Sequence, residues 1–225
     1  MNNKANRTGK ESDLVKRNRG RKIEKVLRKE YRSAAVALQY ATPLQLLIAV
    51  ILSAQCTDVR VNMVTPALFK RYRSAVDFAN ADSVEIEEAI HSTGFFRNKT
   101  KSIIACCRVL VDQHGGKVPA SMEELVKLPG VGRKTANCIL GGAFGISAGV
   151  VVDTHVARVS ARLGLTTNTD PEKIEKDLCG ILEQKDWIHF GNAVILHGRK
   201  VCAARKPLCA ECLLNALCPS AGSFD

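Results

Sequence analysis

Residues 43–54, PLQLLIAVILSA, are apolar at nearly every position. A helix built from such a run has no polar face to turn to water, so other elements must enclose it on most sides. The remaining sequence supplies candidates. Residues 83–91, 99–113, 121–127, 133–144, 154–163, 171–183 and 189–200 read as shorter amphipathic helices. Ser121 with Glu124 forms a capping-box pattern, and Asp170 before Pro171 reads as an N-cap followed by proline in the first turn. Gly94, Gly115, Gly116, Gly145 and Gly164 fall where helices should end. The only β-like segment is Val150–Val152, too short for a sheet. The expected class is all-α.

A chain of 225 residues suffices for one large domain or two small, closely packed ones, with a core and a cleft. A hydrophobic content of 46% excludes a disordered chain. No apolar run approaches the ~20 residues of a membrane span, and the polar, lysine-rich N-terminus lacks the apolar core of a signal peptide. The expectation is a soluble intracellular protein of cytoplasm or nucleoid, with no membrane partner. The net charge of +11 favours a polyanionic partner such as nucleic acid. Residues 1–33 contribute +8 of it, with twelve Lys/Arg against four Asp/Glu, which leaves +3 for the rest. The tail to about residue 20 is expected to be mobile and to bind anions weakly. Nine cysteines, an odd number, in a reducing compartment argue against a disulfide framework. Cys56, Cys106, Cys107, Cys138 and Cys179 lie inside apolar helical patterns and read as small buried hydrophobes.

Three constellations carry chemistry. The string LPGVGRKT at 128–135 joins two helices through a Gly-Val-Gly turn. Its glycines permit positive φ and close backbone approach, and the following helix offers free N–H groups to an anion such as a DNA phosphate. Lys134 falls in the first turn of that helix, where the dipole opposes a cation. It reads either as a phosphate-holding lysine or as a nucleophile, its ammonium acidified by the dipole and by partial burial. Asp153 reads as an N-cap, and also as a carboxylate able to stabilise positive charge on a sugar ring while a glycosidic bond breaks. His155, two residues on, could donate to Asp153 or to a phosphate, whereas His197 reads as satisfying internal hydrogen bonds. Finally, Cys202-x6-Cys209-x2-Cys212-x5-Cys218 places four thiols within seventeen residues. They suit a cuboidal iron–sulfur cluster or structural zinc, although zinc sites usually show two tight cysteine pairs and only one is present.

These segments, in this order, resemble the endonuclease III family of helix-hairpin-helix, iron–sulfur DNA glycosylases. The resemblance spans roughly residues 36–218: LLIAVILSAQ at 46–55, LPGVGRKTA at 128–136, VDTHVARV at 152–159, ILHGR at 195–199 and the late cysteines. It implies two helical domains with a DNA-binding cleft between them. One is a six-helix barrel with the helix-hairpin-helix over 36–148. The other is a helical domain from 21–35 and 149–225 whose Cys202, Cys209, Cys212 and Cys218 hold a [4Fe-4S] cluster. A basic tail covers 1–20. The implied activity is removal of oxidised pyrimidines from double-stranded DNA and cleavage of the abasic site by β-elimination. Lys134 would attack the sugar C1′ and form a Schiff base, with Asp153 as the catalytic carboxylate, in a monomeric enzyme. Gln55 would enter the gap left by a flipped-out base. The family usually places a leucine wedge after a glycine, and here Gly94 is followed by Phe95 and Phe96. Leu128, Gly130, Val131, Gly132, Arg133, His155, Arg205 and Lys206 are the further expected DNA contacts. Two other readings are a mismatch-thymine glycosylase of the same superfamily and a non-enzymatic DNA-binding module. The adenine-removing branch bears a carboxylate in the early helix, and residues 44–57 contain none.

Overall fold

The computed structural model describes residues 11–223, and every regular element among them is helical. The α-helices are α1 (Asp13–Glu30), α2 (Pro43–Leu52), α3 (Asp58–Arg71), α4 (Ala75–Ala79), α5 (Ser83–Ile90), α6 (Phe96–His114), α7 (Met122–Leu125), α8 (Arg133–Phe144), α9 (Thr154–Arg162), α10 (Pro171–Ile181) and α11 (Trp187–Lys200). The chain divides into two units: Ala34–Val151, and a second that joins the segment ending at Ser33 to the one beginning at Val152. No helix of the described residues is long and apolar enough to cross a membrane.

In the Ala34–Val151 unit, α2 is the buried centre that its composition demands: Leu46, Leu47, Ile48, Ala49 and Leu52 have no exposed surface. It packs against α3, α6 and α8. The approach to α8 is close because Gly142 lacks a side chain; a Cβ there would lie 2.8 Å from Leu46 Cδ2. Tyr40 donates its hydroxyl to the Gly142 carbonyl at 2.7 Å and holds the same contact. Two helices that the periodicity does not announce, α3 and α4, have local causes. Thr57 caps α3 by accepting from Arg60 N–H, and the helix continues through Pro66. A proline inside a helix normally argues for a break, which is why the pattern conceals it. Ser74 and Asp77 form the capping box of the five-residue α4. The backbone N–H groups of Arg73 and Ser74 hold the Asp77 carboxyl below its usual range. The capping box expected at Ser121 is absent: Ser121 turns its hydroxyl to Glu123, and Glu124 pairs with Lys127 at 2.7 Å.

In the other unit, residues 13–20 of the tail expected to be mobile lie in α1, while residues 1–10 lie outside the described residues. Ser12 caps α1 by accepting from Val15 N–H. Arg19 then fastens the helix: its guanidinium donates to the carbonyls of Leu163, Gly164 and Leu217 and pairs with Glu11. Gly20 lies flat against Ile181 of α10, where any Cβ would collide with the isoleucine methyl. Ile23 and Leu27 are buried on the same helix, which also packs on α11. Asp170 caps α10 by accepting from Glu172 and Lys173 N–H, as expected. Val150–Val152 joins no strand among the described residues.

Candidate active site and cysteine pocket

The hairpin between α7 and α8 splits its two glycines by function. Gly130 has φ +79°, and a Cβ there would sit 2.9 Å from Ser102 Cβ on α6. Only glycine fits. Gly132 has an ordinary φ of −91° with nothing within 4 Å of a built Cβ, so positive φ is not the reason for it. It is the N-cap of α8 and, having no side chain, supplies no cap of its own. Leu128 and Val131 are buried, 2% and 5% exposed, so they anchor the turn and present only backbone outward. Arg133 and Lys134 follow, both exposed. The partial burial expected of Lys134 is absent within its own unit. Its Nζ has no hydrogen-bond or ion-pair partner among the described residues. Cys138, one turn further along α8, feels the lysine charge; burial nevertheless pushes its thiol up to about 11, with Lys134 opposing.

Asp153 is the N-cap of α9, and one oxygen does the capping. Oδ1 accepts from both His155 and Val156 N–H at 2.8 Å. Oδ2 accepts no hydrogen bond among the described residues, so the same carboxylate caps a helix and keeps an unengaged oxygen on a half-buried side chain. His155 faces its own unit: Nδ1 meets Arg158 at 3.1 Å, and its Cβ lies 3.1 Å from the position of a Cβ on Gly198. Internal bonding, anticipated for His197, holds for His155 too.

The four late cysteines line one pocket together with Arg162, His197 and Pro207. Two 3₁₀ turns, Cys209–Glu211 and Asn215–Leu217, shape its outer wall, and the Asn215 amide donates to the Cys209 carbonyl at 2.8 Å. Arg158 donates to the Cys202 carbonyl, and Arg162 approaches Cys202 Sγ at 3.4 Å. Both arginines lie on α9 at i and i+4, the spacing after Asp153 that sets them on one helix face toward the cysteine loop. His197 is 4% exposed, and burial holds its imidazole below the usual protonation range. Burial pushes the Cys212 and Cys218 thiols up, and the neighbouring cysteines add to the effect. Four thiolates would repel one another here without a cationic centre to hold them. No three His, Cys, Asp or Glu donors among the described residues are grouped as a single bound ion requires.

Three of the other expected DNA contacts share a backbone property. Among the described residues, the non-glycine positions with positive φ are Gln55, Phe95 and Lys206, at 52°, 49° and 48°. Each is an expected DNA contact, and such conformations cluster at functional sites because they cost of order 1–3 kcal/mol. Gln55 sits in the turn beyond α2, exposed. Phe95 is 62% exposed, so it is not core, whereas Phe96 is half-buried and packs on His91 at 4.5 Å. Arg205 and Lys206 are exposed on the loop between the first two cysteines.

Known proteins are similar to this chain in sequence and fold. Residues 48–184 match the HhH-GPD superfamily of base excision DNA repair proteins. The chain is 60% identical over 206 residues to endonuclease III of Synechocystis, covering 92% of this chain and 94% of that one. A solved non-covalent endonuclease III–DNA complex is similar at a TM-score of 0.87 and 41% identity, covering 92% of this chain and 97% of the other. A trapped endonuclease III–DNA covalent intermediate is similar at 0.87 and 40%, with the same coverage. The chain belongs to the endonuclease III family, within the HhH-GPD superfamily of base excision DNA repair proteins.

Proposed function

We propose that this chain, a base excision repair DNA glycosylase and lyase, removes oxidised pyrimidines from double-stranded DNA through Lys134 and Asp153 and then cuts the strand by β-elimination. Lys134 carries the reading: an exposed amine on the first turn of α8, directly after the Gly-Val-Gly hairpin, with no hydrogen-bond or ion-pair partner among the described residues. The ammonium must first lose its proton. Nζ then bonds to C1′ as the C1′–base bond breaks, the ring opens to a Schiff base, and loss of a C2′ proton expels the 3′ phosphate. The unengaged Oδ2 of Asp153 suits stabilisation of positive charge on the sugar while the base leaves. Helix-hairpin-helix backbone, Gln55, Phe95, Arg205 and Lys206 then supply phosphate, gap-filling, wedge and loop contacts. Relatives described as endonuclease III–DNA complexes, one of them covalent, support DNA as the partner.

The donor set in the cysteine pocket fits a [4Fe-4S] cluster better than zinc. Four thiols share one pocket, and their sequence holds one tight cysteine pair rather than the two usual for zinc. Cys202, Cys209, Cys212 and Cys218 would hold it. Once bound, the cluster supplies metal–thiolate bonds that cross-link the end of α11 to the C-terminal loop.

Borohydride trapping on abasic duplex tests the lysine. The native protein should form a covalent adduct and Lys134→Gln none; equal trapping by the variant removes Lys134 from the mechanism. Asp153→Asn should lose more base release than abasic-site incision, because its charge is needed while the glycosidic bond breaks.

A further inference from the structure

His197 belongs to none of the steps above, yet three segments distant in sequence meet at its ring. Nε2 lies 3.6 Å from Cys212 Sγ, and Nδ1 lies 3.2 Å from the Tyr31 hydroxyl at the end of α1. The Tyr31 ring also packs edge-on at 6.1 Å. The backbone carbonyl of His197 accepts from Val201 and Cys202 N–H, both at 2.9 Å. One residue therefore touches the first cysteine through its main chain and the third through its side chain. The ring is also a wall: it lines the cysteine pocket on one side and a second cavity with Glu30, Tyr31, Glu211 and Leu214 on the other.

The direction of the hydrogen bonds follows from chemistry. A metal-bound thiolate carries no proton and can only accept. Nε2 must then be the protonated nitrogen, which leaves Nδ1 to accept from Tyr31. We propose that His197 is a positioning residue of the iron–sulfur centre, donating from Nε2–H to the Cys212 sulfur in a tautomer set by the Tyr31 hydroxyl. This rests on the cluster reading given above. Hydrogen bonds to ligating sulfur draw off its negative charge and favour the reduced state of the cluster, and outer partners of metal ligands also secure metal retention.

The test uses the full-length chain with its cluster, and compares native protein with His197→Met, His197→Gln and Tyr31→Phe. Iron and sulfide content, the visible absorption of the cluster, its midpoint potential and far-UV circular dichroism are measured on each. His197→Met should shift the potential to more negative values and lose iron faster against a chelator. His197→Gln, whose amide nitrogen reaches as far as Nε2, should restore most of both. Tyr31→Phe, which removes one oxygen and keeps the ring, should give a smaller shift of the same sign. If His197→Met keeps the native potential and iron retention, the hydrogen bond is refuted. If His197→Gln behaves like His197→Met, packing rather than donation is the cause, and the proposal is equally overturned. Native chain without iron and sulfide would remove the cluster reading itself, a separate result.

Discussion

Gly130 and Gly132 stand two residues apart and answer to different demands. Gly130 combines φ +79° with the close Ser102 Cβ, so Gly130→Ala should destabilise the protein by about 2–3 kcal/mol, read as a drop in thermal midpoint. Gly132→Ala meets neither obstacle, and its stability should stay within about 0.5 kcal/mol of native while a methyl is added at the N-terminal end of α8. Weaker binding to abasic duplex at unchanged stability is therefore expected of Gly132→Ala; unchanged binding would mean that no phosphate approaches that end. Phe95 poses the converse case. Its exposed ring sits on left-handed backbone, so Phe95→Gly should raise stability by roughly 1 kcal/mol while lowering base release from duplex. Denaturant titration beside an excision assay separates the two effects. Loss of stability would show that the ring is held by the fold.

At the scale of elements, one guanidinium ties α1 to distant segments beside the helix's apolar packing. Arg19 reaches carbonyls 144, 145 and 198 residues away in the chain. Charged hydrogen bonds of this kind contribute about 1.5–3 kcal/mol, so Arg19→Ala should lower stability by about 2 kcal/mol. Hydrogen exchange should then accelerate through α1 and in the turn after α9 but not in α6; uniform exchange at native rates would refute the role. The strongly periodic helices α8, α9 and α11 were readable from their own residues, because their apolar positions and their glycine or aspartate ends lie within a few residues of one another. By contrast, α1 is so rich in charge that its apolar positions, Ile23 and Leu27 among them, do not stand out. Its helicity is supported by partners elsewhere in the chain.

At the scale of the whole molecule, Lys134 belongs to the unit built around α2 and Asp153 to the unit that contains the cysteine pocket. The first unit's core also contains Cys106 and Cys107, neither with any exposed surface. Burial pushes the Cys106 thiol up to about 12, and Cys107 also upward, with Cys106 adding to its shift. Because the folded state keeps these protons after the unfolded chain has lost them, their contribution is complete below the ordinary thiol range and falls as pH rises above about 9. The slope is at most about 1.4 kcal/mol per pH unit for each thiol. A Cys106→Ala/Cys107→Ala protein should show a shallower alkaline loss of stability in denaturant titrations; identical slopes would place the effect elsewhere. Helix content, the hairpin string and the cysteine spacing could all be read along the chain, since each is a pattern among near neighbours. Which oxygen of Asp153 stays unengaged, why Gly130 must face Ser102, and what presses on Cys212 are set by residues that meet only after folding. No local pattern encodes such meetings, because their energies come from packing and hydrogen bonding between segments up to two hundred residues apart.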